Sequence, residues 1–164
     1  MSYLLTGLKH KKEVDNAIKS TEDKVLVLRF GRETDTVCMQ LDDIVRKWTF
    51  LTAFKLIIVL AKSSQQLSRM ADIYKVEVDE MPVYTKYFDI TLIPATIFFF
   101  NGQHIKVDYG TPDHTKFIGS FKKKQDFIDV VEVVLRGAMR GKLIITSPLD
   151  PRDVPKYTLL YKDI

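Results

Sequence analysis

The chain has 164 residues, of which 46% are hydrophobic and 28% are charged, and its formal net charge at pH 7 is +4. This length and apolar content suit one globular domain with a buried core. A single cysteine, Cys38, excludes a disulfide-stabilised scaffold and fits a reducing compartment. The mild positive charge permits an acidic or nucleic-acid partner without requiring one.

Sequence motifs for several classes of function are missing. The three histidines, His10, His104 and His114, are scattered along the chain, so we predict no metal site and no cofactor. There is no Gly-rich phosphate loop and no aromatic RNA-binding signature. The apolar residues at the amino terminus are too few for a signal peptide and precede the positive charges instead of following them.

The apolar pattern predicts alternating helices and strands. Val14, Ala17 and Ile18 at helical spacing predict a short helix over residues 11–19. A continuous apolar run then predicts a buried strand over residues 24–30. The further predicted elements are a helix over 36–47, a strand over 71–78, a short helix over 83–88, a hairpin of strands 95–100 and 104–109, and a long helix over 124–140.

The junction between the strand at 24–30 and the next helix carries the lone cysteine. Asp35 stands at the expected N-cap, where a side-chain oxygen accepts hydrogen bonds from exposed helix amides. A dithiol redox cycle needs one thiolate to attack and a second thiol to resolve the mixed disulfide, and Cys38 has no second thiol in the chain. We therefore predict a buried structural thiol at Cys38, with a monothiol or regulatory role as the alternative.

These segments resemble the thioredoxin fold. Thioredoxins place a Cys-x-x-Cys at this strand–helix turn and a cis-proline before a later strand, and the matching positions here are Asp35, Cys38 and Pro94. Arg29 stands where thioredoxins bury an acidic residue. The resemblance implies an α/β, thioredoxin-like fold with a central mixed sheet flanked by helices, a degenerate redox site and no catalysis. We also predict that the Ile93–Pro94 bond is cis.

The tail over residues 143–164 extends beyond a minimal thioredoxin. Its three prolines exclude a continuous helix, and its leucines and tyrosines make it too apolar for a solvated tail. We predict a thioredoxin-like domain over 1–142 and a C-terminal extension over 143–164 that packs on the domain or on a partner.

A narrower resemblance rests on motifs spread over nearly the whole chain. They are Met1-Ser-Tyr-Leu-Leu, Phe30-Gly-Arg, Asp35-x-x-Cys38, Tyr87-Phe-Asp-Ile, Asn101-Gly-Gln-His, Arg136-Gly-Ala and Ser147-Pro. In this order they resemble the DIM family of thioredoxin-like spliceosomal proteins. The resemblance implies a nuclear, non-catalytic protein of pre-mRNA splicing that binds spliceosomal proteins of the snRNP and tri-snRNP, can form a homodimer and is linked to cell-cycle progression.

The stretch over residues 48–62 departs from that family pattern, which closes up if these apolar residues are removed. As a helix the stretch would span roughly 22 Å, short of the ~30 Å bilayer core, so we expect no membrane span. A functional insertion, a coding variant and an error in gene prediction all stay open.

The same resemblance implies a partner-binding groove between the degenerate redox turn and the proline loop. The residues expected to contact a partner there or along the tail are Arg32, Glu33, Leu92, Ile93, Tyr157 and Tyr161.

Two other functions remain open at this stage. One is an atypical single-cysteine thiol-redox protein. The other, secondary to protein binding, is direct contact with RNA through Phe121, Lys122, Lys123, Lys124, Arg136, Arg140 and Lys142.

Overall fold

The structure of the protein, a computed structural model, describes residues 5–46 and 70–157. Its strands are β1 (Thr6–Leu8), β2 (Val25–Gly31), β3 (Ala71–Glu77), β4 (Ala95–Phe100), β5 (Gln103–Asp108), β6 (Phe117–Ile118) and β7 (Ile144–Thr146). Its helices are α1 (Lys11–Ser20), α2 (residues 36–46), α3 (Pro82–Tyr87) and α4 (Lys124–Met139), and a short 3-10 turn covers Pro151–Asp153.

The strands form one mixed sheet in the order β1-β3-β2-β4-β5-β7, with β6 paired to β4. β2 pairs in parallel with β3 and antiparallel with β4, while β5 pairs antiparallel with β4 and in parallel with β7. The predicted α/β fold with a central mixed sheet and flanking helices is therefore confirmed.

The sheet has a hydrophobic core on each face, and β2 contributes to both because successive strand side chains point to opposite sides. Val25 and Val27 pack with residues of α2 and α4, whereas Leu26 and Leu28 pack with residues of α1 and the α3 region. Every residue of β2 is buried. A strand buried on both faces reads as a continuous apolar run, which is the pattern that predicted β2.

The predicted elements agree with the described ones to within one or two residues at each end. β1, β6 and β7 were not predicted as strands, because two or three residues are too few to show a two-residue alternation. The predicted insertion at 48–62 lies outside the described residues. In the parts of the chain that are described, no helix has the length and apolar character of a membrane span.

The first part of the tail completes the sheet. Ile145 of β7 is buried beneath α4, and Val154 is buried in the same core. The helix approaches β7 so closely that a Cβ atom at Gly137 would lie 2.8 Å from Cδ1 of Ile145. Removing the tail from residue 143 onwards would therefore remove core residues, so point variants are the appropriate probes of its function.

Candidate functional site

The first turn of α2 is capped by the residue that stands at the outer redox position of a thioredoxin. Oδ1 of Asp35 accepts a hydrogen bond from the backbone N–H of Cys38 at 2.9 Å, as the N-cap prediction requires. This bond is the main cause that holds the pKa of Asp35 below its usual range. The carboxylate thus accepts a hydrogen bond from a helix N–H that in a dithiol enzyme is free to stabilise a thiolate.

Cys38 is fully buried, with 0% of its surface exposed. Burial is the main cause that raises the pKa of its thiol to about 11, and the hydrogen bond and negative charge of Asp35 contribute to that rise. Since the thiolate is the nucleophilic form, the protonated thiol found at neutral pH is poorly suited to attack a disulfide. The geometry makes Cys38 part of the core.

A buried ion pair lies beneath this turn. Arg29 is only 1% exposed, and its guanidinium binds the carboxylate of Asp42 on α2 through two hydrogen bonds, with Nε 2.7 Å from Oδ1. Its third nitrogen, Nη1, has no hydrogen-bond partner among the described residues. A Cβ at Gly31 would lie 2.7 Å from that nitrogen and 2.5 Å from Sγ of Cys38, so the site requires a glycine there.

The proline loop lies beside the tail. The Ile93–Pro94 bond is cis, as predicted. The carbonyl of Pro94 accepts a hydrogen bond from the N–H of Gly119 at 2.9 Å. Pro155 of the tail packs on the same glycine, 3.0 Å from where its Cβ would be. Gly119 therefore contacts both the proline loop and the tail.

Charged side chains form the exposed rim of the site. Arg32 pairs with Asp79, with Nε 2.9 Å from Oδ2, and the pair lies largely in solvent. Glu33 pairs with Lys75, with Oε1 2.8 Å from Nζ. The hydrogen bond from Arg32 holds the pKa of Asp79 below its usual range. Exposed pairs of this kind contribute little to stability, so these charges remain available to a partner.

The predicted partner residues occupy three places. Arg32 and Glu33 follow β2 on this rim. Leu92, which is 43% exposed, and the half-buried Ile93 precede β4. Tyr157 accepts a hydrogen bond from the N–H of Asp113 at 3.2 Å and is partly buried against the core of the α1–α3 face. Tyr161 lies outside the described residues.

A cleft with a volume of 570 Å³ opens beside the degenerate turn, and none of the predicted partner residues lines it. Its walls are the start of α2, the loop after β6 and the tail: Val37, Gln40, Asp43, Ile44, Gly119, Ser120, Phe121, Lys122 and Pro155. Three distant segments meet there, so sequence reasoning missed it. Val37 of this cleft is apolar and 41% exposed, and its place in the apolar pattern of α2 gave no sign of that exposure.

The predicted RNA-contacting cluster is divided between core and surface. Phe121 is buried and stacks on Phe117, with ring centroids 4.2 Å apart, so its ring is not available to a base. Lys122 pairs with Asp153 at 2.9 Å. Within residues 5–46 and 70–157, no group of three or more His, Cys, Asp or Glu side chains is placed to hold a metal ion.

Comparison with known structures supports the fold. Mitochondrial thioredoxin 3 of Saccharomyces cerevisiae, in the crystal structure of its oxidised form, matches with a TM-score of 0.55 and 22% identity, covering 80% of this chain and 98% of that one. At this level of identity the likeness shows the thioredoxin fold alone.

Comparison with known sequences is more specific. The profile of the family described as "Mitosis protein DIM1" matches residues 4–151. Thioredoxin-like protein 4B of Mus musculus is 65% identical over 164 residues, covering all of both chains. Mitosis protein dim1 of Schizosaccharomyces pombe is 33% identical over 150 residues, 92% of this chain and 95% of that protein. Spliceosomal protein DIB1 of Eremothecium gossypii is 30% identical over 137 residues, 84% and 85% of the two chains. The predicted family resemblance is thereby confirmed: the chain belongs to the DIM1 family, on a thioredoxin fold.

Proposed function

We propose that this protein acts in pre-mRNA splicing, in the nucleus, as a non-catalytic protein-interaction module of the spliceosome with a link to cell-cycle progression. The observation that carries the proposal is family membership over residues 4–151. Relatives that share most of its length are named for the spliceosome and for mitosis. The fold by itself does not assign a function, because thioredoxin-like domains serve several.

The geometry of the degenerate site supports a role without catalysis. A thioredoxin-like reaction requires an exposed thiolate and a second thiol. Cys38 is buried and protonated, the outer position is Asp35, and the chain has no other cysteine. In this proposal the site keeps the thioredoxin fold and has lost its thiol chemistry.

The partners in this proposal are spliceosomal proteins of the snRNP and tri-snRNP. They contact the charged rim at Arg32 and Glu33, the apolar residues Leu92 and Ile93, and the neighbouring tail through Tyr157 and Tyr161. Direct RNA contact is secondary, since the aromatic ring nearest the lysine cluster lies in the core.

The test is add-back to a nuclear extract depleted of the protein, with splicing of a reporter pre-mRNA as the readout. Wild-type protein and the Cys38→Ser variant should restore splicing equally, because the thiol performs no chemistry. A disulfide-reduction assay with insulin as substrate runs in parallel and should show no turnover. Failure of the wild-type protein to restore splicing would overturn the proposed function. Turnover that disappears in Cys38→Ser would overturn the non-catalytic assignment.

A further inference from the structure

The edge strand β7 and the end of α4 form a second surface, separate from the degenerate redox turn. A cleft of 260 Å³ lies between them, lined by Val133, Arg136, Gly137, Arg140, Lys142, Ile144, Ile145 and Thr146. Two apolar side chains are exposed here, Leu143 at 48% and Ile144 at 62%. We call this surface the β7 edge.

The backbone of the β7 edge has hydrogen-bonding groups that do not pair with any other strand of residues 5–46 and 70–157. The carbonyl of Leu143 accepts a hydrogen bond from the N–H of Lys106, and the N–H of Ser147 donates to the carbonyl of Asp108. The backbone N–H and C=O groups of the odd-numbered residues in this segment therefore point towards β5. Because strand backbone groups alternate in direction, the N–H and C=O of Ile144 and Thr146 point away from β5. In the sheet as described, β7 is the last strand on that side.

The β7 edge is also cationic. Arg136, Arg140 and Lys142 are exposed, and none of them forms an ion pair with another residue of 5–46 or 70–157. An unpaired strand edge beside uncompensated cations favours an extended ligand that carries carboxylates.

We propose that the β7 edge binds an extended acidic peptide segment of a partner protein, which adds to the sheet as a strand beside β7. The peptide backbone pairs with Ile144 and Thr146. Its acidic side chains point towards α4 and contact the guanidinium groups of Arg136 and Arg140.

The spacing of the two arginines supports this geometry. Val133 and Gly137, one helical turn apart, line the same cleft as Ile145, so α4 runs along β7. Residues four apart on a helix are separated by about 6 Å along its axis, and alternate strand residues by about 6.7 Å. Alternate acidic residues of an added strand therefore match Arg136 and Arg140 in register.

The other side of the added strand should be apolar. Ile145 points beneath α4, so its neighbour Ile144 points to the opposite face of the sheet, where its side chain is exposed. Apolar residues that alternate with the acidic ones would cover Ile144. The surface therefore fits a segment with a strict acidic–apolar alternation.

The probe is a fluorescent, end-capped heptapeptide of alternating Glu and Val, with a Lys-Val peptide of the same length as the control. Binding to the full chain is measured by anisotropy at about 50 mM salt, where charges are weakly screened. Only the acidic peptide should bind. Amide exchange measured by NMR should be fast at Ile144 and Thr146 in the free protein and slow in the complex.

Three variations test the two parts of the contact. An acidic peptide with methylated backbone amides should lose binding, because it cannot pair as a strand. The double variant Arg136→Glu/Arg140→Glu should weaken binding by about tenfold or more, since it places repulsive charges in the cleft. Lys12→Glu/Lys86→Glu, which reverses two exposed charges on α1 and α3 and so matches the change in net charge, should leave binding unchanged.

The proposal is overturned if the acidic peptide does not bind, or if methylation of the peptide backbone leaves its binding intact. Slow exchange of Ile144 and Thr146 in the free protein would mean that the edge is already occupied and would also overturn it. If the wild-type protein self-associates and Arg136→Glu/Arg140→Glu abolishes that association, the β7 edge binds a second copy of the chain and the proposal is wrong. Splicing add-back does not enter this test, so its outcome is independent of the proposed function.

Discussion

The interior of the degenerate redox site and its rim differ in how their charges are held. Inside, Arg29 and Asp42 form a pair in which the arginine is 1% exposed. On the rim, Arg32 and Asp79 form a pair of similar geometry that is 49% and 66% exposed. Removing one partner of a buried ion pair costs much stability, whereas a solvent-exposed pair contributes almost nothing to the free energy of unfolding. Charge inside the site therefore maintains structure, and charge on the rim is free to serve recognition.

The largest expected effect comes from breaking the buried pair. Asp42→Ala leaves the Arg29 guanidinium buried without its counter-charge, and we expect the free energy of unfolding to fall by about 3 kcal/mol. Urea unfolding monitored by fluorescence measures the change. Replacing both partners, in Arg29→Met/Asp42→Leu, should recover much of the loss.

The matched control for that variant is Asp79→Ala on the rim, which should leave the unfolding midpoint unchanged because the pair is solvated. Equal losses for Asp42→Ala and Asp79→Ala would remove the distinction between interior and rim.

A smaller loss is expected from Gly31→Ala. The added methyl group would lie 2.5 Å from Sγ of Cys38, and overpacking of this kind costs about 1–3 kcal/mol. Gly7→Ala is the control, because the added Cβ would lie an ordinary 3.6 Å from Cε of Lys75. Adding Cys38→Ala to Gly31→Ala removes the sulfur and should restore part of the stability. If the stability losses of Gly31→Ala and Cys38→Ala simply add in the double variant, the predicted clash between the new methyl group and Sγ of Cys38 is wrong.

The helix cap should contribute less. Asp35→Ala removes the acceptor of the Cys38 N–H and should lower Tm by about 2–4 °C at pH 7, whereas Asp35→Asn keeps an acceptor oxygen, loses only the charge and should lower Tm less. Because the folded-state pKa of Asp35 is lowered, the charge contributes stability above the ordinary aspartate pKa and loses it as pH falls through the lowered value. The Tm difference between wild type and Asp35→Ala should therefore narrow in acid, and a difference that stays undiminished would show that the charge does not contribute to the cap.

The smallest effect is confined to alkaline pH. The thiol pKa rises from 9.0 to about 11 on folding, so the proton on Cys38 favours the folded state fully below pH 9. That contribution is lost as pH rises from 9 towards 11. The free energy of unfolding is measured for wild type and Cys38→Ala at several pH values, and the difference between them should narrow as pH rises. A constant difference over this range would show that Cys38 does not titrate as described.

The parts of this structure that sequence reasoning predicted are those with a local pattern. The continuous apolar run of β2, the Asn101-Gly102 turn and the Asp35 cap all follow from neighbouring residues. Each is present in the structure.

The parts that sequence reasoning missed depend on distant contacts. β7 is a strand because β5 lies beside it, and the 570 Å³ cleft exists because α2, the loop after β6 and Pro155 meet. The partner of Arg29 was equally unpredicted, since Asp42 reaches it from a different element. Phe121, which sequence placed among surface lysines, lies in the core because it stacks on Phe117.

The central claim is that partner recognition uses the rim of the degenerate site and not its thiol. The most direct measurement is quantitative co-purification of tri-snRNP proteins from nuclear extract by wild type, by Cys38→Ser and by Arg32→Glu/Glu33→Lys. We predict that Cys38→Ser recovers the same amount as wild type and that the rim variant, folded to the same Tm, recovers much less. Full recovery by the rim variant, or loss of recovery in folded Cys38→Ser, would contradict the claim.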